Sequence, residues 1–131
     1  MKKVLIVEDD LSYVQLLKDK IKELQCEVLL ASDGKEGLDT ALKANPDLIL
    51  LDIRMPVMDG LTMLTELRKT QYGKKVAVIF LTNLEPDEST IKKVLKDQPT
   101  YYLIKSDIKR TELMEMIQKL LNENEAKSKK S

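Results

Sequence analysis

Five short stretches of the chain carry an apolar or aromatic residue at every position: Val4–Val7, Val28–Ala31, Leu48–Leu51, Val76–Leu81 and Tyr101–Ile104. A strand with one wet face alternates polar and apolar residues, so runs without alternation belong to strands covered on both faces. Between the runs the apolar residues recur at helical spacing. Leu11, Val14, Leu17, Ile21 and Leu24 form one such face; Leu38, Ala41 and Leu42, Leu61, Leu64 and Leu67, and Ile91, Val94 and Leu95 form others. The last consists of Leu113, Met116, Ile117, Leu120 and Leu121. Asp33 and Glu36 have the spacing of a capping box, and Asn45-Pro46 ends the helix that they start. Strand and helix thus alternate five times, which calls for a parallel sheet with right-handed crossovers and helices on both faces. The expected fold is α/β, a flavodoxin-like doubly wound five-stranded parallel sheet in the order 2-1-3-4-5 with five helices. One domain spans 1–122. The polar tail 123–131, whose one apolar residue is Ala126, is expected to be disordered.

Composition removes several function classes. Lys+Arg and Asp+Glu are both 22, so no net charge favours a nucleic acid or an acidic membrane. There is no His and one Cys, which excludes a His-based triad, Cys/His zinc sites and an internal disulfide. The lone Cys26 fits a reducing compartment and reads as a small buried side chain. The longest apolar run, Val76–Leu81, has six residues, and a membrane helix needs about 20. Only Val4–Val7 precede Glu8 as an apolar stretch, too short for a signal peptide. A soluble, cytoplasmic protein without a membrane span or direct nucleic-acid contact is expected.

In an open parallel sheet, ligands sit beyond the carboxyl ends of the strands where the order reverses. The first strand ends in Glu8-Asp9-Asp10, the third in Asp52, the fourth in Thr82-Asn83 and the fifth in Lys105. Taken singly, Asp10 reads as a helix cap, Thr82 as a strand-end cap and Lys105 as a solvated surface residue. Jointly they read differently. Clustered carboxylates repel unless a cation or proton intervenes. With oxygen ligands only, Mg²⁺ suits them best. A lysine and a hydroxyl at the same rim complete a site for a phosphoryl group, and an aspartate can itself become the phosphorylated nucleophile.

These residues resemble the receiver domain of two-component response regulators over about residues 2–122. The most specific stretch is Asp47-Leu48-Ile49-Leu50-Leu51-Asp52-Ile53-Arg54-Met55-Pro56-Val57-Met58-Asp59-Gly60, similar to the phosphoacceptor strand and its loop. Val4–Asp10, Val78–Thr82 and Tyr102–Lys105 are similar to the first, fourth and fifth strands with their acidic pair, switch threonine, switch aromatic and lysine. The resemblance implies that Asp52 takes a phosphoryl group from a histidine kinase or phosphotransfer protein. It implies Mg²⁺ on Glu8, Asp9, Asp52 and the Arg54 backbone carbonyl, and Lys105 paired with the phosphoryl oxygens. It also implies that Thr82 bonds the phosphoryl group while Tyr102 turns inward, which switches a face of helix 4, strand 5 and helix 5 for a downstream protein. The alternative for Tyr102 is a fixed strand residue with its hydroxyl in water.

The expected function is a stand-alone response regulator, not a turnover enzyme; the alternative is a receiver-like scaffold that binds partners without phosphorylation. A haloacid-dehalogenase-type phosphatase would need an acid where Arg54 stands. A flavodoxin would need a Ser/Thr/Gly-rich loop where Glu8-Asp9-Asp10 stands. Four departures from the family pattern carry expectations of their own, the first being that Thr82 and Lys105 stand 23 apart, one more than the family spacing. Ser106 replaces a proline, so the Lys105–Ser106 bond is expected to be trans, with Asp107 offered as a cap for helix 5. Asn83 replaces a small residue beside the acceptor. Asp97-Gln98-Pro99-Thr100 replaces a Gly-Ala turn and makes the last helix–strand connection unusual.

Overall fold

The computed structural model describes the backbone of residues 1–130 and the side chains of residues 1–123. Five strands, β1 (Lys3–Val7), β2 (Glu27–Ala31), β3 (Leu48–Leu51), β4 (Ala77–Thr82) and β5 (Tyr101–Ile104), form one parallel sheet in the order β2-β1-β3-β4-β5. Five α-helices connect or follow them: α1 (Leu11–Lys22), α2 (Gly34–Ala44), α3 (Gly60–Arg68), α4 (Glu88–Asp97) and α5 (Arg110–Lys130). The fold is the doubly wound one that uninterrupted apolar strands require.

Alternation along each strand divides the core. Val4, Ile6, Leu48, Leu50, Ile79 and Leu81 meet Val14, Leu17 and Ile21 of α1 and Leu113, Ile117, Leu120 and Leu121 of α5. Leu5, Val7, Ile49, Leu51, Val78 and Phe80 meet Ala41 of α2, Met63, Leu64 and Leu67 of α3, and Val94 of α4. Side chains of β1, β3 and β4 are thus sealed on both faces.

Aspartates start four of the helices. Asp10, Asp33, Asp59 and Asp87 each accept backbone N–H bonds from the first turn of α1, α2, α3 and α4, satisfying donors that have no partner within the helix. Asn45 ends α2 in the left-handed conformation, φ 50°. Every described peptide bond is trans, Lys105–Ser106 included. Asp107 lies in the turn after β5, its N–H donating to Ile104 O at 3.0 Å, and α5 begins only at Arg110.

Three helix faces differ from the sequence expectation: Leu42 of α2 is 41% exposed, and α1 and α4 differ as well. Leu11 is exposed, and Tyr13 packs against the core in its place, on one stripe with Leu17 and Ile21. On α4 only Val94 is buried; Ile91 and Leu95 are 45% and 69% exposed. The backbone of α5 runs through Lys130. Residues 122–130 hold neither Pro nor Gly and include Glu, Ala and Lys, which favour helix. Ser131 lies outside the described residues.

The unusual α4–β5 connection has a clear solution. Gln98 ends α4 in the left-handed conformation, φ 47°. Arg68, at the end of α3, donates to Asp97 O at 2.9 Å, Gln98 O at 3.0 Å, Gly73 O at 2.8 Å and Val76 O at 2.7 Å. Thr65 adds a 2.5 Å bond to the Asp97 carboxylate. A guanidinium therefore takes the orphan carbonyls that end α4.

Gly60 fixes the loop after β3. Its N–H donates to Ile53 O at 2.8 Å, and a Cβ there would stand 2.0 Å from the Asp52 carbonyl oxygen. Gly60→Ala should cost about 1–3 kcal/mol by overpacking, read as a lower urea midpoint at unchanged m-value.

Candidate functional site

Register builds the site. Val7 pairs with Leu51 across β1 and β3, so Glu8 and Asp52 follow side by side. Thr82 pairs with Ile104 across β4 and β5, so Lys105 follows one step later, and its N–H donates to Thr82 O at 2.8 Å. Continuing the strand alternation, Glu8, Asp52 and Lys105 fall on the α1/α5 side of the sheet, whereas Thr82 and Tyr102 fall on the α4 side.

Glu8 and Asp52 are buried and Asp9 is exposed. One carboxylate oxygen from each lies within 4.8 Å of the others. Lys105, whose side chain is 11% exposed, reaches across with its ammonium 2.8 Å from Glu8 Oε1 and 3.6 Å from Asp52 Oδ2. The two oxygens of Asp52 differ: Oδ1 accepts the Ile53 N–H at 2.7 Å, and Oδ2 is the one nearer the ammonium. The same ammonium sits 4.4 Å from the centroid of the Tyr13 ring. Asp10 caps α1 by accepting the N–H groups of Ser12 and Tyr13 at 3.1 Å and 3.3 Å, so it does serve the cap role.

Burial, followed by the Asp52 carboxylate, pushes the Glu8 carboxyl up to about 7, with Lys105 acting in the opposite direction. Burial, then Glu8 and Asp52, push the Tyr13 phenol up to about 12, so that ring is neutral throughout the physiological range. Repulsion between crowded carboxylates is relieved by a proton or by a cation. The donors are all oxygen, which suits a hard divalent ion such as Mg²⁺.

A cavity of about 380 Å³ opens over Asp52, lined by Arg54, Thr82, Asn83, Leu84, Glu85 and Lys105. Asn83 is exposed and lines the rim of this cavity. Leu84 ties the other side of the site together through its backbone. Its N–H donates to Thr82 Oγ1 at 3.2 Å, and its carbonyl accepts the Tyr102 hydroxyl at 2.7 Å. The Tyr102 ring tilts against Phe80 at a centroid distance of 5.8 Å. Its hydroxyl is thus bound to the protein instead of standing free in water.

The sequence reading brought Glu8, Asp9, Asp52, Thr82 and Lys105 to one place, and the geometry does the same. It missed Tyr13 and the Leu84 backbone. Spacing held a signal for Tyr13, because residues 13, 17 and 21 stand four apart. A backbone link leaves no trace in side-chain pattern.

The family model described as "Response regulator receiver domain" matches residues 4–118. The chain belongs to that family. The receiver domain is 41% identical over 68 residues to the alkaline phosphatase synthesis transcriptional regulatory protein PhoP of Bacillus subtilis, a match covering 52% of this chain and 28% of that protein. The chain spans between 28% and 53% of the length of three such curated relatives. Among solved structures, a CheY-like response regulator receiver domain protein from Methanospirillum hungatei superposes with a TM-score of 0.86 at 27% identity, covering 97% of this chain and 98% of that one. The receiver domain of the sensor histidine kinase PA1611 from Pseudomonas aeruginosa, described with a magnesium ion coordinated in its active-site cleft, gives 0.81 at 29% identity, covering 92% and 98%.

The raised Glu8 carboxyl makes the stability of the metal-free receiver domain depend on pH. The folded protein holds a proton that the unfolded chain, with an ordinary value of 4.5, has already released. That contribution is complete below the ordinary value and is lost as pH rises through about 7. In a chelator, the melting temperature should fall between about pH 5 and pH 8, and Glu8→Gln should flatten the fall. Calorimetry showing equal slopes for both proteins would contradict the assignment.

Proposed function

We propose that this receiver domain accepts a phosphoryl group on Asp52 from the phosphohistidine of a histidine kinase or phosphotransfer protein, and signals through it. The observation that carries the reading is the convergence of Asp52 Oδ2, the Lys105 ammonium at 3.6 Å and the Glu8–Asp9 carboxylates beneath an open cavity. Few other uses account for an aspartate buried at the end of an apolar strand with a cation held beside it.

Asp52 Oδ1 is engaged by the Ile53 N–H, which leaves Oδ2 to attack. The Oδ2–P bond forms, the P–N bond to the partner's imidazole breaks, and the electron pair leaves with that nitrogen. Glu8, Asp9, Asp52 and the Arg54 backbone carbonyl would hold Mg²⁺, whose chemistry is to neutralise charge on the phosphoryl oxygens. Lys105 supplies a second positive charge at the same oxygens. The Thr82 hydroxyl turns to donate to the new group while its oxygen keeps or yields the Leu84 N–H. Because Tyr102 bonds the carbonyl of Leu84, the residue whose N–H meets Thr82, the change passes to β5 and the exposed face of α4, where a downstream protein is read. Asp52 is consumed and restored in this cycle, so the domain is a switch and not an enzyme turning over an external substrate.

Incubation with acetyl phosphate and Mg²⁺ should add one phosphoryl mass to the wild type and none to Asp52→Asn, whose melting temperature should match or exceed that of wild type because one repelling charge is gone. Equal labelling of both would overturn Asp52 as the acceptor, and labelling of neither would favour a scaffold without phosphorylation. Millimolar Mg²⁺ should raise the wild-type melting temperature through linkage, and Asp9→Ala should abolish that rise.

A further inference from the structure

Lys105 must carry its charge from the end of β5 to Asp52 on a flexible four-carbon stem. Two carboxylates hold that charge in the resting protein. Both are also donors for a divalent cation, so binding one weakens their grip on the ammonium. The contact that survives that exchange is the face of Tyr13, whose centroid lies 4.4 Å from the ammonium. An aromatic face attracts a cation most strongly where water is excluded, and the Lys105 side chain is 11% exposed.

The ring is itself fixed. Asp10 accepts the N–H of Tyr13 at 3.3 Å as the cap of α1, and the ring packs against the cluster that contains Val14, Leu17 and Leu113. A chain of contacts therefore runs from the acidic loop after β1, through the first turn of α1, to the lysine of β5. It enters the site from the α1 side, away from Thr82, Leu84 and Tyr102.

We infer that Tyr13 is a positioning residue for phosphoryl transfer: its ring face holds the Lys105 ammonium at the acceptor when Glu8 and Asp52 turn to the divalent cation. This inference rests on the function proposed above, since Lys105 acts there on phosphoryl oxygens. What matters is the ring, because the contact is made by its face.

Tyr13→Phe keeps that face; Tyr13→Leu and Tyr13→Met remove it while remaining apolar, and the flexible Met fills the space if Leu leaves a gap. Two readouts apply to each folded variant. The first is the NMR ring-current shift of the Lys105 terminal methylene, assigned through Lys105→Arg and followed with and without Mg²⁺. The second is the rate of labelling by acetyl phosphate at saturating Mg²⁺, with the melting temperature as a control. Wild type and Tyr13→Phe should show the upfield shift in both conditions and label at similar rates. The ringless variants should lose the shift and label roughly tenfold more slowly, the scale of one cation–π contact. Ringless variants that label at the wild-type rate, or a shift that vanishes from wild type when Mg²⁺ binds, would overturn the inference. A wild type that takes no label at all overturns the proposed function instead, and the shift in Mg²⁺ then still decides whether the ring holds the lysine.

Discussion

The pairing of Val7 with Leu51 sets two buried carboxylates next to each other. Parallel strands in register must release their next residues at the same level, and here those residues are Glu8 and Asp52. Like charges at that spacing in a poorly solvated place are costly. The rest of the site compensates for this cost: Lys105 spans both groups, Glu8 retains a proton beyond its ordinary range, and the three-carboxylate set is suited to a divalent ion.

The two-residue period of the strands sorts the groups by task. Glu8, Asp52 and Lys105 continue the positions that face α1 and α5, while Thr82 and Tyr102 continue those that face α4. The charged groups and the groups joined through Leu84 thus lie on opposite sides of one sheet and meet only at its edge, over the cavity. Separating them in this way lets Leu84 link Thr82 and Tyr102 without any hydrogen bond to the carboxylates.

Much of this was legible in sequence because it rests on local pattern. Parallel pairing followed from uninterrupted apolar runs, and the site from the residues that end those runs. Asp33, with Glu36 three residues on, marked a helix start that the Glu36 N–H bond bears out at 2.8 Å. What escaped depends on which of two plausible faces a helix turns inward. Leu11 and Tyr13 stand two apart on α1, and the more apolar of the pair is the exposed one, while the ring packs against the core. On α4, Ile91 and Leu95 have helical spacing with Val94, yet only Val94 is buried. Arg68 was silent for another reason: its partners are backbone carbonyls up to 30 residues away, and a carbonyl has no sequence signature.

The attachment of α4 has a mechanical consequence. Its first turn is secured by its own Asp87 cap, its middle by one buried valine, and its last turn by bonds from Arg68 and Thr65 to Asp97 and Gln98. Resistance to displacement is therefore concentrated at one end. A push delivered to the β4–α4 loop meets little apolar packing there and a dense set of hydrogen bonds ten residues on, so the helix answers as a lever pinned at its carboxyl end. A displacement applied at the Leu84 backbone would be expressed as a swing of the exposed Ile91–Leu95 surface about the guanidinium of α3.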